Sequence, residues 1–212
     1  MNQHKTIAVI GGTGKAGKYL VQQLLKNGYT VNALVRTPEN FAPSHPALSI
    51  VKGDIQNIAA IQKILKGCNA VLSTLGQTQG EPLISALAAT NILAVMKEYG
   101  IKRYIFVCGM NIDVPGDNKN AANIAKSDWM RNNFPAVVAD KQRAYEIVAA
   151  SVVDWTMVRV PMIVQSDEKN GVTNSLQDCP GESINTSDLA DFLISQIDDK
   201  RYIRKSPFAA GA

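Results

Sequence analysis

Closely spaced glycines follow a short apolar run near the start of the chain. Gly11, Gly14 and Gly17 have GxxGxxG spacing, and Gly12, Gly14 and Gly17 have GxGxxG spacing. A turn without Cβ atoms lets a pyrophosphate approach the backbone, and the first N–H groups of a following helix attract its negative charge. No Gly-Lys-Ser/Thr follows, so a P-loop is excluded. The spacing predicts a dinucleotide phosphate loop formed by Gly11, Thr13, Gly14, Lys15, Ala16 and Gly17.

The residue that follows the second apolar run bears on the choice between NAD and NADP. Sites for NAD place an acid there, about 20 residues after the glycines, to bind the ribose 2′-hydroxyl. This chain has Arg36 instead, in the run Leu34-Val35-Arg36-Thr37. A guanidinium pairs with a 2′-phosphate, which a carboxylate would repel. Arg36 therefore favours NADP(H) as the cofactor, and a solvated charge at the end of a strand remains the alternative.

Short runs with high β-propensity alternate with segments of helical length. This alternation predicts an α/β protein with a parallel sheet and helices on both faces, and with the glycine loop it indicates a Rossmann fold. Segments 109–134 and 161–183 follow strands, and we expect them to be loops on the substrate side. The predicted strands are 6–10, 30–35, 48–51, 70–75, 104–108 and 155–160, and the predicted helices are 15–27, 57–65, 82–99, 135–151 and 187–197.

The composition narrows the class of protein. A chain of 212 residues with 46% hydrophobic residues suits one domain over residues 1–212, with a small C-terminal extension. The net charge of +4 comes from scattered Lys and Arg residues, which does not favour nucleic acid as a partner. Three separated cysteines and two histidines predict neither disulfides nor a metal site, and they favour the cytoplasm. No apolar run approaches the roughly 20 residues of a membrane span.

Further motifs carry a resemblance to a known family. They are Val-Lys-Gly-Asp-Ile at 51–55, Ser-Thr-Leu-Gly at 73–76, Ser-Val-Val-Asp-Trp-Thr-Met-Val-Arg-Val-Pro at 151–161 and Thr-Ser-Asp-Leu-Ala at 186–190. With the glycine loop, they resemble the atypical short-chain dehydrogenase/reductases of the NmrA-like, NAD(P)H-binding group, which includes flavin/biliverdin-IXβ reductase-like proteins. The likeness covers nearly the whole chain and implies a doubly wound, mostly parallel sheet.

The resemblance also implies roles for residues that follow four strands. It assigns Asp54 and Ile55 to the adenine, Thr74, Leu75 and Gly76 to the pyrophosphate and ribose, Cys108 and Gly109 to the nicotinamide ribose, and Val160 and Pro161 to the nicotinamide pocket. Two simpler interpretations stay open. Asp54 is also a suitable cap for the next helix, and Cys108 is also a typical small buried residue.

The catalytic pair of classical short-chain dehydrogenases, Tyr-x-x-x-Lys, is absent. Tyr145 is followed four residues later by Ala149, and no other tyrosine has Lys at that spacing. The resemblance places a polar, often basic residue near Lys141, which we expect to orient the ribose or donate to the substrate. A surface lysine paired with an acid one turn away is the alternative.

Hydride transfer without a dedicated acid suits a conjugated acceptor, because solvent can then deliver the proton. The sequence therefore favours an NADPH-dependent reductase of a small acceptor such as a quinone or flavin. The alternative is a redox sensor that binds NADP(H) without turnover, in the manner of NmrA-like regulators. Epimerase chemistry on nucleotide sugars is disfavoured, because related enzymes use the Tyr-Lys pair and a larger C-terminal substrate domain. Nothing in the sequence indicates an oligomeric state.

Overall fold

A mostly parallel β-sheet forms the centre of the computed structural model, which describes residues 5–41 and 44–212. Its strands alternate with helices along most of the chain, as expected for an α/β protein. The elements are β1 (Thr6–Ile10), α1 (Lys15–Lys26), β2 (Thr30–Val35), a 3₁₀ turn (Pro38–Asn40), β3 (Leu48–Lys52), α2 (Ile58–Leu65), β4 (Ala70–Ser73), α3 (Ser85–Tyr99), β5 (Arg103–Gly109), α4 (Ala121–Asn133), α5 (Pro135–Ala149), β6 (Asp154–Val160), β7 (Met162–Val164), β8 (Val172–Ser175), β9 (Ser183–Asn185), α6 (Thr186–Ser195) and β10 (Phe208–Gly211).

The order of the strands identifies the fold. The large sheet runs β3-β2-β1-β4-β5-β6-β10-β8, with β8 antiparallel to β10 and the other pairs parallel. Strands β7 and β9 form a separate parallel pair. The order reverses direction between β1 and β4, and the crevice at such a reversal is where doubly wound proteins bind ligands. The predicted Rossmann fold is confirmed.

Both faces of the sheet are covered, which explains the continuous apolar character of its strands. In β1, Ala8 and Ile10 join one core cluster, with residues of α2, α3 and α5. Ile7 and Val9 point to the other side and join the second cluster, with residues of α1 and α6. Because successive side chains in a strand point to opposite faces, a strand buried on both sides needs apolar residues at every position.

Two segments predicted to be loops contain regular structure. Segment 109–134 holds α4, whose N-terminus is capped by Asn120, with its side chain accepting a hydrogen bond from the backbone N–H of Asn123. The buried residues of α4 are Asn123 and Ser127, so the helix lacks the apolar stripe by which helices are recognised in a sequence. Segment 161–183 holds β7 and β8, and the missed strand β10 lies between β6 and β8.

None of the helices within residues 5–41 and 44–212 is both long enough and apolar enough to span a membrane.

Candidate functional site

The glycine loop between β1 and α1 is shaped by two close backbone contacts. Gly11 has a φ of +81°, and a Cβ atom there would lie 2.8 Å from the backbone N of Leu75. A Cβ atom at Gly17 would lie 2.0 Å from the carbonyl oxygen of Gly11. Both positions therefore require glycine, and the GxxGxxG spacing describes this turn.

The start of α1 leaves backbone donors free for a ligand. Gly14 is the residue before the helix, and no side chain of the described part of the chain caps it. Since the first N–H groups of a helix have no partner within it, the N-terminus of α1 offers donors and partial positive charge beside the turn. Ala16 and Gly17 are buried here, whereas Lys15 is exposed and donates from Nζ to the carbonyl of Ile163 in β7 at 3.3 Å.

Thr74 joins the glycine loop to the end of β4. Its backbone N–H donates to the carbonyl of Ile10 at 2.9 Å, and its hydroxyl donates to the carbonyl of Gly11 at 3.2 Å. These bonds hold together the ends of β1 and β4, where the strand order reverses.

A crevice of about 290 Å³ opens at this reversal, along the carboxyl ends of β1 to β4. Its size and its position beside the free N–H groups fit the adenosine and phosphate portion of a dinucleotide. Several residues predicted to bind the cofactor lie together in its lining: Gly11, Thr13, Gly14, Arg36, Asp54, Ile55, Thr74, Leu75 and Gly76.

Arg36 has a carboxylate partner that the sequence did not indicate. Its Nη1 atom lies 2.6 Å from Oε2 of Glu81, in the loop between β4 and α3, and both residues line the crevice. The two side chains are 56% and 36% exposed, so water and ligands reach the pair. The hydrogen bond to Glu81 is the main cause of a raised pKa for Arg36.

Asp54 is not the cap of the following helix. Its Oδ1 accepts a hydrogen bond from the backbone N–H of Gln56 at 2.8 Å, which shapes the turn after β3. Asn57 caps α2, because its Oδ1 accepts from the N–H groups of Ala59 and Ala60. Asp54 thus lines the crevice and does not act as a helix cap.

Lys141 lines a second, smaller pocket of about 30 Å³ between α3, α5 and the sheet. Cys108 and Ser73 also line this pocket, and Leu75 borders both the pocket and the larger crevice. Lys141 forms no ion pair with any residue of the described ranges, so the alternative of a paired surface lysine is not supported. Burial raises the pKa of Cys108, an effect that Lys141 and Arg159 partly offset, so this thiol is neutral near pH 7.

The neighbours of Lys141 on α5 hold the helix in place. The carboxylate of Asp140 accepts from the N–H groups of Ser85 and Ala86 at 2.7 and 3.2 Å, and it thereby caps α3. Gln142 accepts from the backbone N–H of Asp113 at 3.1 Å and donates to its carbonyl at 3.0 Å. The side chains on either side of Lys141 thus fix α5 to its surroundings.

The predicted nicotinamide residues lie at the ends of β5 and β6. Gly109 is the register partner of Val160, and the N–H of Met110 donates to the carbonyl of Val160 at 2.9 Å. A Cβ atom at Gly109 would lie 2.3 Å from Oδ1 of Asn111, so glycine leaves room for that side chain. Pro161 follows Val160 directly and is half-buried.

Arg159, directly before Val160, anchors the segment that follows β5. Its side chain is 1% exposed and forms an ion pair with Asp117 at 2.6 Å. It also donates to the carbonyls of Ile112 and Ser206, and its guanidinium lies 3.6 Å from the centre of the Phe208 ring. The buried pair therefore fixes the shape of the chain beyond Gly109.

Tyr145 does not replace the missing tyrosine acid. Its ring packs edge to face on Trp155, with 6.0 Å between ring centres, and burial raises its pKa. A phenol with a raised pKa that packs on a core tryptophan is a poor proton donor for a substrate.

Sequence reasoning missed several residues that shape the site. Glu81 and Gln77 stand in the loop after β4, and Asp140 directly precedes the predicted Lys141. An acid next to the predicted lysine was the available signal for Asp140. No spacing rule marks Glu81, because its partner Arg36 lies 45 positions earlier in the chain.

The strand order, the glycine turn and the crevice define a Rossmann dinucleotide-binding protein. The chain also matches the model of the NAD(P)H-binding family over residues 11–200, and it therefore belongs to this family. A nicotinamide dinucleotide as the cofactor, predicted from the sequence as NADP(H), agrees with this membership.

Several plant enzymes are similar in sequence to this chain. Eugenol synthase 2 of Clarkia breweri is 28% identical over an alignment of 225 positions. The alignment covers 97% of this chain and 68% of that protein. Phenylcoumaran benzylic ether reductase TP7 of Nicotiana tabacum is 27% identical over 234 residues, with coverages of 97% and 68%. Cinnamoyl-CoA reductase 2 of Medicago truncatula is 30% identical over 183 residues, with coverages of 76% and 54%. The chain thus spans roughly half to two thirds of these relatives.

Solved structures share the fold. A short-chain dehydrogenase/reductase from Veillonella parvula in complex with NADP has a TM-score of 0.82 at 16% identity, covering 98% of this chain and 95% of that one. A Rossmann-fold NAD(P)-binding family protein from Shigella flexneri has a TM-score of 0.76 at 20% identity, with coverages of 99% and 94%.

Proposed function

We propose that the protein is an NADPH-dependent reductase of a small conjugated acceptor, such as a quinone or a flavin. The observation that carries the proposal is the pair of adjoining pockets. One contains Arg36 at the ends of β1 to β4, and the other contains Lys141, which has no ion-pair partner among the described residues. Similarity to plant reductases supports the reaction class.

In this proposal, the adenosine half of NADPH occupies the larger crevice. The backbone of the glycine loop binds the pyrophosphate, and the guanidinium of Arg36 pairs with the 2′-phosphate. Asp54 and Ile55 contact the adenine. Thr74, Leu75 and Gly76 pass beneath the pyrophosphate and ribose.

The nicotinamide half extends over Leu75 toward the ends of β5 and β6. Cys108 and Gly109 border its ribose, and Val160 and Pro161 border its ring. Bound NADPH supplies a hydride, whereas the protein supplies orientation and a dry surface. Lys141 donates a hydrogen bond to the ribose or to charge that develops on the acceptor. Cys108 stays a neutral thiol and takes no part as a nucleophile.

The surroundings of the acceptor complete the proposal. Segments 109–134 and 161–183 border the acceptor as part of a single NAD(P)-binding domain. The three cysteines Cys68, Cys108 and Cys179 are free and buried, which suits the reducing cytoplasm as the place of the reaction.

The first test concerns the form of the cofactor. We expect the protein to bind NADPH more tightly than NADH, and Arg36→Ala to weaken NADPH binding about tenfold with little change for NADH. Fluorescence titration of both dinucleotides measures this, with Arg143→Ala on the exposed face of α5 as the matched control. Tighter binding of NADH by the unaltered protein would refute the NADP preference.

The second test concerns turnover. We expect NADPH oxidation with at least one quinone or flavin, and Lys141→Ala to lower kcat about 100-fold while the Kd for NADPH changes less than tenfold. Unchanged turnover in Lys141→Ala would remove this residue from the mechanism.

A non-catalytic redox sensor of the NmrA-like kind is the second candidate, and the absence of Tyr-x-x-x-Lys favours it. A sensor binds NADP and NADPH with different affinities and oxidises NADPH with none of the quinones, flavins and aldehydes offered. If the protein oxidises NADPH with none of these acceptors, the result would support the sensor and refute the reductase.

A further inference from the structure

We propose that Glu81 is a specificity-determining residue that competes with the 2′-phosphate of NADPH for Arg36. This inference rests on the proposed function, because it assumes that the larger crevice binds the adenosine half of the dinucleotide. It assigns to Glu81 the opposite effect on NADPH binding from that of Arg36.

Glu81 is in direct contact with Arg36. Oε2 of Glu81 lies 2.6 Å from Nη1 of Arg36, at hydrogen-bond distance, and both residues line the crevice. A carboxylate and a phosphate are the two groups that a guanidinium binds with the same fork of donors. The carboxylate of Glu81 therefore occupies a donor that a 2′-phosphate would otherwise use.

Hydrogen bonds within the loop hold the backbone of Glu81 in place. Gly80 takes a φ of +80°, and the N–H of Glu81 donates to the carbonyl of Thr78 at 3.2 Å. The side-chain amide of Gln77 donates to the carbonyls of Thr78, Glu81 and Pro82 at 3.0, 3.0 and 3.2 Å. The loop thus presents the carboxylate of Glu81 toward Arg36.

The negative charge of Glu81 determines whether this residue strengthens or weakens NADPH binding. A 2′-phosphate brings close to two negative charges to a site that already holds a carboxylate, and like charges at short range repel. The pair is also partly exposed, so the carboxylate can rotate into solvent at modest cost when a phosphate takes its place. Glu81 should therefore weaken NADPH binding without affecting NADH, which lacks that phosphate.

The experiment compares Glu81→Gln with the unaltered protein by fluorescence titration. Gln keeps the size and removes the charge. We expect NADPH to bind about fivefold more tightly and NADH to change less than twofold. Titration with 2′-AMP and 5′-AMP should show the same contrast on the smaller probes. Glu146→Gln, which removes an exposed glutamate paired with Arg143 on α5, is the matched control and should change nothing.

The outcomes separate this inference from the proposed function. Weaker or unchanged NADPH binding in Glu81→Gln would overturn the competition and make Glu81 a group that orients Arg36. An equal gain for NADPH and NADH would overturn it too, because the effect would not depend on the 2′-phosphate. If instead Arg36→Ala leaves NADPH binding unchanged, the proposed binding of the 2′-phosphate by Arg36 is refuted, and with it the basis of this inference. In the double variant Arg36→Ala/Glu81→Gln, we expect the gain from Glu81→Gln to fall below twofold.

Discussion

Two arginine–carboxylate pairs stand in different parts of the candidate site, with the same N–O distance and different surroundings. Arg36 and Glu81 are 2.6 Å apart, with side chains 56% and 36% exposed. Arg159 and Asp117 are also 2.6 Å apart, but their side chains are 1% and 12% exposed. The first pair is open to solvent, and we propose that a phosphate competes there with the carboxylate. The second has no access to a ligand and instead holds the segment after β5.

The two halves of the candidate site are therefore built by different means. The half that we propose for the adenosine is an open crevice, in which charges stay hydrated and partners can change. The half at β5, β6 and α5 is packed, and the buried guanidinium of Arg159 donates to backbone carbonyls as well as to Asp117. In the proposed function, adaptable contacts bind the cofactor, and rigid contacts position the reaction.

The largest expected effect comes from breaking the buried pair. Arg159→Met leaves the carboxylate of Asp117 buried without its closest partner, so we expect a loss of about 3–5 kcal/mol in the free energy of unfolding. Arg36→Met removes an equally short but exposed pair and should cost less than about 1 kcal/mol. Urea denaturation of both variants measures the contrast. Equal losses would show that exposure does not separate the two pairs.

The sequence predicted those parts of the site that neighbouring residues form, and it did not predict contacts between distant residues. The glycine turn and Arg36 follow local rules of spacing, because a turn and a strand end are formed by neighbouring residues. Glu81 and Asp117 lie 45 and 42 positions from the arginines that they contact, and only the folded sheet brings them together. The sequence did not predict helix α4 for a related reason. Its buried residues Asn123 and Ser127 are polar, and Asn123 donates to Asp178 and Cys179, more than 50 positions away.

A smaller effect tests whether the open half is also rigid where the phosphate is expected. A Cβ atom at Gly17 would lie 2.0 Å from the carbonyl oxygen of Gly11. We expect Gly17→Ala to lower stability by about 3 kcal/mol and the affinity for NADPH at least tenfold, because the turn must open. Gly28→Ala is the control, since Gly28 has a φ of +82° and a Cβ atom there would meet no other atom within 4 Å.

Gly28→Ala should lower stability by about 1 kcal/mol through backbone strain alone and leave NADPH binding intact. Equal losses of NADPH affinity in the two variants would mean that general destabilisation, and not the turn, controls binding. The adenosine half would then be adaptable throughout.

The smallest effect concerns Asp140, a positioning residue for Lys141. Its carboxylate caps α3 from α5, so Asp140→Ala should cost about 1 kcal/mol of stability. Because the cap also fixes the helix that carries Lys141, we expect kcat for NADPH oxidation to fall about tenfold while the Kd for NADPH stays within twofold. Asp140→Asn keeps an oxygen acceptor and should restore most of kcat. A loss of stability without the fall in kcat would show that the cap is only structural, and that Lys141 does not depend on the rigid packing of its half of the site.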